Sequence, residues 1–263
     1  MHSLLEGVTA ADIRTDPFPH IVIPDVADPA LYTALANSFP SFSRIAWEGS
    51  APMPNNRRFT LSAHAILDAP DLPDCWKQFV ALHSGPGFLA AVEALFAGHW
   101  HPDLLAVLGG RLKGHTTSRL TLQERPGEGG RIRQDARIEI NTPVRDRPSL
   151  ARGPHLDTLN RLYSGLFYMR APDDDSTGGE LVLYRWREGA CRDITAYQLP
   201  DAAVAEVVRI PYRANQFVLF PQGINALHGV GLRHPTPHIR RYIFITAELE
   251  EDWLTLPAQE HAA

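Results

Sequence analysis

The chain has 263 residues, enough for one sizeable hydrophobic core, and its composition is that of a globular protein: 44% hydrophobic, 21% charged, formal net charge −5. That balance offers no basic face for nucleic acid, and no apolar run approaches the length of a membrane span. The two cysteines, Cys75 and Cys191, have no paired spacing, and the N-terminus has neither a basic lead nor a cleavage pattern, so a cytoplasmic protein is expected. Lysine occurs only as Lys77 and Lys113, so any cationic clamp must be an arginine.

In chain order, His20 to Ile23 forms a short β-run between prolines. Asp28 reads as an N-cap with Pro29 in the first helical position, opening a helix to about Phe39. Residues 40–60 read as loop, ending in Asn55-Asn56-Arg57-Arg58. Helices follow at 71–83 and 86–98, the second with Leu89, Val92 and Phe96 at helical spacing.

From about residue 103 the pattern becomes that of strands, at 117–123, 136–142, 163–170, 180–185, 206–211, 216–220, 226–232 and 240–248. Turn residues separate them, among them Pro126-Gly127, Asp173-Asp174-Asp175, Gly178-Gly179 and Pro221-Gln222-Gly223. Many short strands at this spacing predict a sandwich or jelly roll rather than βαβ units. The expected architecture is mainly β with N-terminal helices: a single domain over 1–263, mostly helical over 1–102, with a jelly-roll core over 103–250.

The stretch RGPHLDTLNRLYSGLFY carries the chemistry. On a strand, His155 and Asp157 share one face while Leu156 turns to the other, which supplies two of the three ligands of a 2-His-1-carboxylate metal site. His101-Pro-Asp103 repeats the spacing, but its proline is ill suited to a central strand. His228, in FVLFPQGINALHGVGL, is the candidate third ligand, whereas His234 and His238 lie in a proline-rich loop. Arg240 and Arg241 enter the last strand, and an arginine at the mouth of a buried strand must find an anion.

PHLD, GLFYM, GGELVLY, NQFVLFPQGINALHGV and RRYIFITAEL, in that order from about 136 to 249, resemble the 2-oxoglutarate/Fe(II)-dependent dioxygenases, in particular the prolyl-4-hydroxylase-like branch. The lead-in DPFPHIVIPDVADPALYTALANSFP resembles bacterial members. The resemblance implies a double-stranded β-helix. It makes His155, Asp157 and His228 the iron ligands and Arg241, with Arg240 as the alternative, the partner of the distal carboxylate of 2-oxoglutarate. Tyr168 matches a position that contacts the same carboxylate, and Asn141 stands where many relatives carry tyrosine. Fe(II), 2-oxoglutarate and O₂ would then oxidise an unactivated C–H bond, with release of succinate and CO₂. The competing readings are a cupin-like metal enzyme without 2-oxoglutarate and a ligand-binding jelly roll without catalysis.

Between 131 and 161, seven arginines face four acids, one of them Asp157. This local excess, with Arg137 and Glu139 on one strand face and Arg152 beside the metal motif, points to a small and anionic substrate.

Overall fold

The computed structural model describes residues 1–46, 53–121, 129–190 and 192–256. The turn expected at Pro126-Gly127, residues 122–123 of the first expected strand, and Cys191 lie outside these. In order come β1 (Ile21–Ile23), α1 (Pro29–Asn37), α2 (Phe42–Ile45), β2 (Arg58–Leu61), α3 (Ala63–Leu67), α4 (Asp74–His83), α5 (Pro86–Leu95) and α6 (Pro102–Val107). The strands β3 (Thr117–Arg119), β4 (Ile132–Asn141), β5 (Arg161–Tyr168), β6 (Leu181–Trp186), β7 (Val204–Ile210), β8 (Gln216–Pro221), β9 (His228–Val230) and β10 (Arg240–Glu248) complete the set.

Two sheets form. The larger has the order β1-β8-β5-β10-β4-β2, with β3 beside β4, and the smaller has the order β7-β6-β9. From β4 onward the chain alternates between them: β4 in the large sheet, the His155 segment bridged to β9, β5 in the large sheet, β6 and β7 in the small one, then β8, β9 and β10 by turns. This is a jelly roll, in which strands distant in sequence converge at one mouth.

β5 is buried along its whole length because both of its faces are covered. On the outer face Phe167 stacks on Phe79 of α4, with ring centroids 5.6 Å apart, and meets Tyr32 of α1 edge-on. The helices thus seal one face of the large sheet, and its other face looks into the roll. α1 begins as its sequence dictates: the Asp28 carboxylate accepts hydrogen bonds from the Ala30 and Leu31 amides, and Pro29 occupies the first turn.

Two local differences bear on the site. Arg58–Leu61, inside the stretch expected as loop, is an edge strand paired with β4, Arg58 opposite Asn141 and Leu61 opposite Ile138. Its partner lies some eighty residues on, where no local pattern can register it. His101-Pro-Asp103 is not on a strand: His101 caps α6, its Nδ1 accepting from the Asp103 amide, so Pro102 sits in a first helical turn that needs no N–H.

His83 closes α4 as a neutral imidazole. Its Nδ1 donates to the Phe79 carbonyl at 2.7 Å, and its Nε2 accepts from the Leu4 amide at 3.0 Å. Burial lowers its pKa to about 4, since a proton on Nε2 would face the Leu4 N–H. The folded value lies below the unfolded one, so the unfolded chain takes up the proton first as pH falls. The stabilisation is full above about pH 6.5 and is lost towards pH 4. In denaturant titrations the stability difference between wild type and His83→Gln should shrink by about 3 kcal/mol between pH 7 and pH 4.

Candidate metal centre

His155 and His228 are 73 positions apart, yet their backbones exchange two hydrogen bonds, His155 N to His228 O at 2.8 Å and the reverse at 3.0 Å. This antiparallel pair sets the two rings side by side, centroids 4.3 Å apart. Asp157, two residues beyond His155, shares its face. One ligand atom from each of the three lies within 4.8 Å of the others, and among the described residues no other such cluster occurs.

The side chains are held in place by the backbone around them. The Nδ1 of His155 meets the Gly153 carbonyl at 2.9 Å, and that of His228 meets the Ala226 carbonyl at 3.0 Å. A carbonyl only accepts, so each Nδ1 carries a proton, and each ring turns its Nε2 inward. These nitrogens lie 3.7 and 3.8 Å from the Asp157 oxygens. Burial raises the Asp157 pKa, but His228, His155 and Arg161 outweigh it and hold the carboxyl well below its usual range. Burial, and then the neighbouring His155, lower the His228 pKa to about 4. A carboxylate beside two imidazole nitrogens is a donor set that suits a divalent first-row metal, iron included.

Sequence reading missed two supports. Ser164 Oγ donates to Asp157 Oδ2 and orients it. Gln222 Nε2 donates to the Asp157 and Thr158 carbonyls, each at 3.2 Å, tying the loop to the end of β8. A polar residue inside Pro-Gln-Gly was the only signal for the latter.

Ser164 also marks which face of the large sheet looks towards the centre. Alternation then puts Tyr168, Tyr242, Phe244, Arg240, Asn141, Glu139 and Arg137 on that face. Arg240 is 3% exposed, donates from Nη1 to the Gly179 carbonyl, and lies 4.3 Å from the Tyr212 ring and 5.0 Å from the Tyr168 ring. No carboxylate of the described residues forms an ion pair with it. The Tyr168 hydroxyl is also buried, without a hydrogen bond among the described residues, and the Arg240 charge beside it opposes the rise that burial gives its pKa. Arg241 faces the other way, its guanidinium 4.9 Å from the Phe39 ring on the helical side. Both faces of β10 are buried, so only pairing could decide between the two arginines, and it puts Arg240 on the inner face.

Glu139 accepts from the Tyr242 hydroxyl at 2.5 Å and from Arg137 Nε at 2.7 Å, and Arg137 also donates to Asp135 at 3.1 Å. Burial raises the Glu139 pKa, but Arg137, Arg58 and the Tyr242 hydroxyl overcome it and lower it on balance. Arg152 donates to the Tyr197 carbonyl at 2.7 Å and borders, with Asp157, a cavity of about 250 Å³. The arginine excess of residues 131–161 is largely matched from elsewhere: Arg131 pairs with Glu251, Arg133 with Glu250 and Arg161 with Glu248. Those acids lie at and beyond the end of β10, outside any local count, so the expected cationic field is weaker than the sequence suggests.

Among solved structures, the chain is similar to the non-heme alpha-ketoglutarate-dependent epimerase SnoN from nogalamycin biosynthesis, with 15% identity and a TM-score of 0.51 over 93% of this chain and 80% of that one. The two share a fold. A prolyl-4-hydroxylase from Pseudomonas putida also matches, with 16% identity and a TM-score of 0.45 over 88% of this chain and 93% of the other. So does the non-heme alpha-ketoglutarate-dependent carbocyclase SnoK from nogalamycin biosynthesis, with 15% identity and a TM-score of 0.43 over 87% and 79%. No family model and no curated protein matches the chain. Among the described residues no helix is long and apolar enough to cross a membrane.

The close pairing at the centre has a steric signature. A Cβ on Gly229 would lie 2.7 Å from the Gly153 carbonyl oxygen. Gly229→Ala should therefore part β9 from the His155 segment and weaken binding of Co(II), followed by its visible absorption, by at least about tenfold. His228→Ala should abolish that signal and His101→Ala should leave it intact.

Proposed function

We propose that the protein is an Fe(II)- and 2-oxoglutarate-dependent oxygenase acting on a small molecule, with hydroxylation of an unactivated C–H bond as its reaction. The observation that carries this reading is Arg240, a buried cation with no carboxylate partner among the described residues, at the inner face of a roll whose mouth holds two imidazoles and a carboxylate. An uncompensated guanidinium in such surroundings costs several kcal/mol, and a bound dicarboxylate removes that cost. A metal enzyme that does not use 2-oxoglutarate, or a roll that only binds a ligand, leaves Arg240 without a reason. The fold shared with SnoN and the motif order in the sequence support the same class.

In this reading His155, Asp157 and His228 hold Fe(II). Bound there, the metal supplies the redox chemistry that couples O₂ reduction and decarboxylation of 2-oxoglutarate, to succinate and CO₂, to oxidation of the substrate. The chain's own part is positional. The Gly153 and Ala226 carbonyls fix both tautomers, and Ser164 fixes the carboxylate. Phe220, its ring 4.9 Å from that of His228, walls the centre with an apolar face that excludes water. Arg240, rather than Arg241, takes the distal carboxylate of 2-oxoglutarate, with the Tyr168 hydroxyl as second donor and Asn141 alongside. Arg137, Glu139 and Arg152 form polar walls for the substrate.

Anaerobically reconstituted protein should turn 2-oxoglutarate into succinate only with Fe(II) and O₂ present, and an undetectable yield would refute the assignment. Loss of a desolvated charge-assisted pair costs roughly 2–5 kcal/mol, so Arg240→Ala should raise the KM for 2-oxoglutarate tens- to thousandfold. Arg241→Ala should stay within about threefold of wild type, since its guanidinium stacks on Phe39 outside the roll. A defect confined to Arg241→Ala would reverse the assignment of the two arginines.

A further inference from the structure

β2 adds an edge to the large sheet and carries Arg58 onto the inner face, opposite Asn141, which is itself opposite Arg240. Arg240, Asn141 and Arg58 thus form one row across three strands. In front of Arg58 opens a cavity of about 410 Å³, floored by Glu139, Arg137 and Asp135 and walled by Thr60 and Leu120. That volume suits one small organic molecule.

The donors and acceptors of this cleft are unevenly engaged. Both Glu139 oxygens are taken, by Tyr242 and Arg137, with Arg58 Nε a further 3.5 Å contact. Asp135 accepts from the Ala63 amide and from Arg137. Arg137 spends its charge on these two acids and lies over the Phe244 ring at 4.6 Å. Arg58 differs. Its Nε faces Glu139, but no group of the described residues bonds its terminal nitrogens, and the side chain is 41% exposed. Tyr242, and beyond it Glu139 and Asp157, keep it charged against the cost of burial. A guanidinium steadied through Nε offers its outer edge as a two-donor fork, which matches an oxyanion. The acidic groups, being occupied, have little left for an ammonium.

We infer that Arg58 is a specificity-determining residue that anchors an anionic group, a carboxylate in the simplest case, of the substrate in the cleft that β2 and β4 line. The inference rests on the oxygenase reading for the reaction that the cleft serves, and on the geometry of β2 and β4 for the anchor itself. It separates two arginines of one row: Arg240 for the cosubstrate, Arg58 for the substrate. The aliphatic surface of Leu120 is suited to an apolar body attached to the anionic group.

The test uses three probes of one shape, phenylacetate, phenylacetamide and phenethylamine, titrated calorimetrically into the full chain loaded with Ni(II) and 2-oxoglutarate. Wild type should bind phenylacetate at least about tenfold more tightly than the amide or the amine. Arg58→Gln and Arg58→Ala should erase that preference and Arg58→Lys should keep part of it, all three binding 2-oxoglutarate within about twofold of wild type. Equal binding of the three probes, preference for the amine, no binding of phenylacetate, or a preference that survives Arg58→Gln would each overturn the inference. If 2-oxoglutarate does not bind the Ni(II)-loaded protein, the cosubstrate reading fails separately. The same series in the Arg240→Ala background, without 2-oxoglutarate, then still decides the role of Arg58.

Discussion

The two backbone hydrogen bonds between His155 and His228 are the constraint on which the site depends. A jelly roll leaves its sheets free to splay at the mouth, and this narrow antiparallel pair closes it at the one place where both imidazoles face inward. Everything nearby protects the pairing. Gly229 carries no Cβ, so β9 can approach Gly153 and Pro154, and Gln222 ties the loop after Asp157 to β8. The ring tautomers are set by carbonyls two residues before each histidine, so the same local turn is used twice on segments far apart in sequence. Ligand geometry is thereby built into backbone pairing rather than left to flexible side chains.

A second constraint is electrostatic. The inner face of the large sheet buries charged residues that an ordinary core avoids, and it does so in two different ways. Arg137 pairs with both Asp135 and Glu139 along β4, and Arg58 from β2 also faces Glu139, so these side chains brace one another. Arg240 instead has three tyrosine rings around it and a backbone carbonyl as its partner, a setting that supports the side chain without cancelling its charge. Gly179, at φ +74°, allows that carbonyl its position, since a Cβ there would lie 2.8 Å from Arg233 and 3.1 Å from the Arg240 guanidinium.

The helices contribute at one remove. Phe79, Tyr32 and Phe39 pack the outer face of β5 and β10, and the stacking of Phe39 under Arg241 holds that guanidinium outside the roll. The orientation of Arg240 follows, because neighbouring residues on a strand must point to opposite faces.

Much of this was legible in the residues themselves. The Asp28-Pro29 helix start and the His155-x-Asp157 spacing follow from local rules, because periodicity and capping are properties of a few consecutive residues, whereas α6 (Pro102–Val107) carries helix past the change of period read near residue 103. That Pro102 keeps His101-Pro-Asp103 off a strand was legible too, though the helix that His101 caps was not. Other features were not, because each depends on a partner far along the chain. Which of Arg240 and Arg241 faces the inside of the roll needed the register of β10 on β5, since two apolar faces leave no alternation to read. Arg58 looked like loop because its strand exists only through pairing with β4. The arginine excess around the metal motif looked like a steering field until the acids from 248–251 folded back onto it. The sequence by itself determined which side chains could bind a metal and which segments could be strands. Only the tertiary structure decided which of them face one another, because strand pairing and charge compensation act through space between residues about a hundred positions apart.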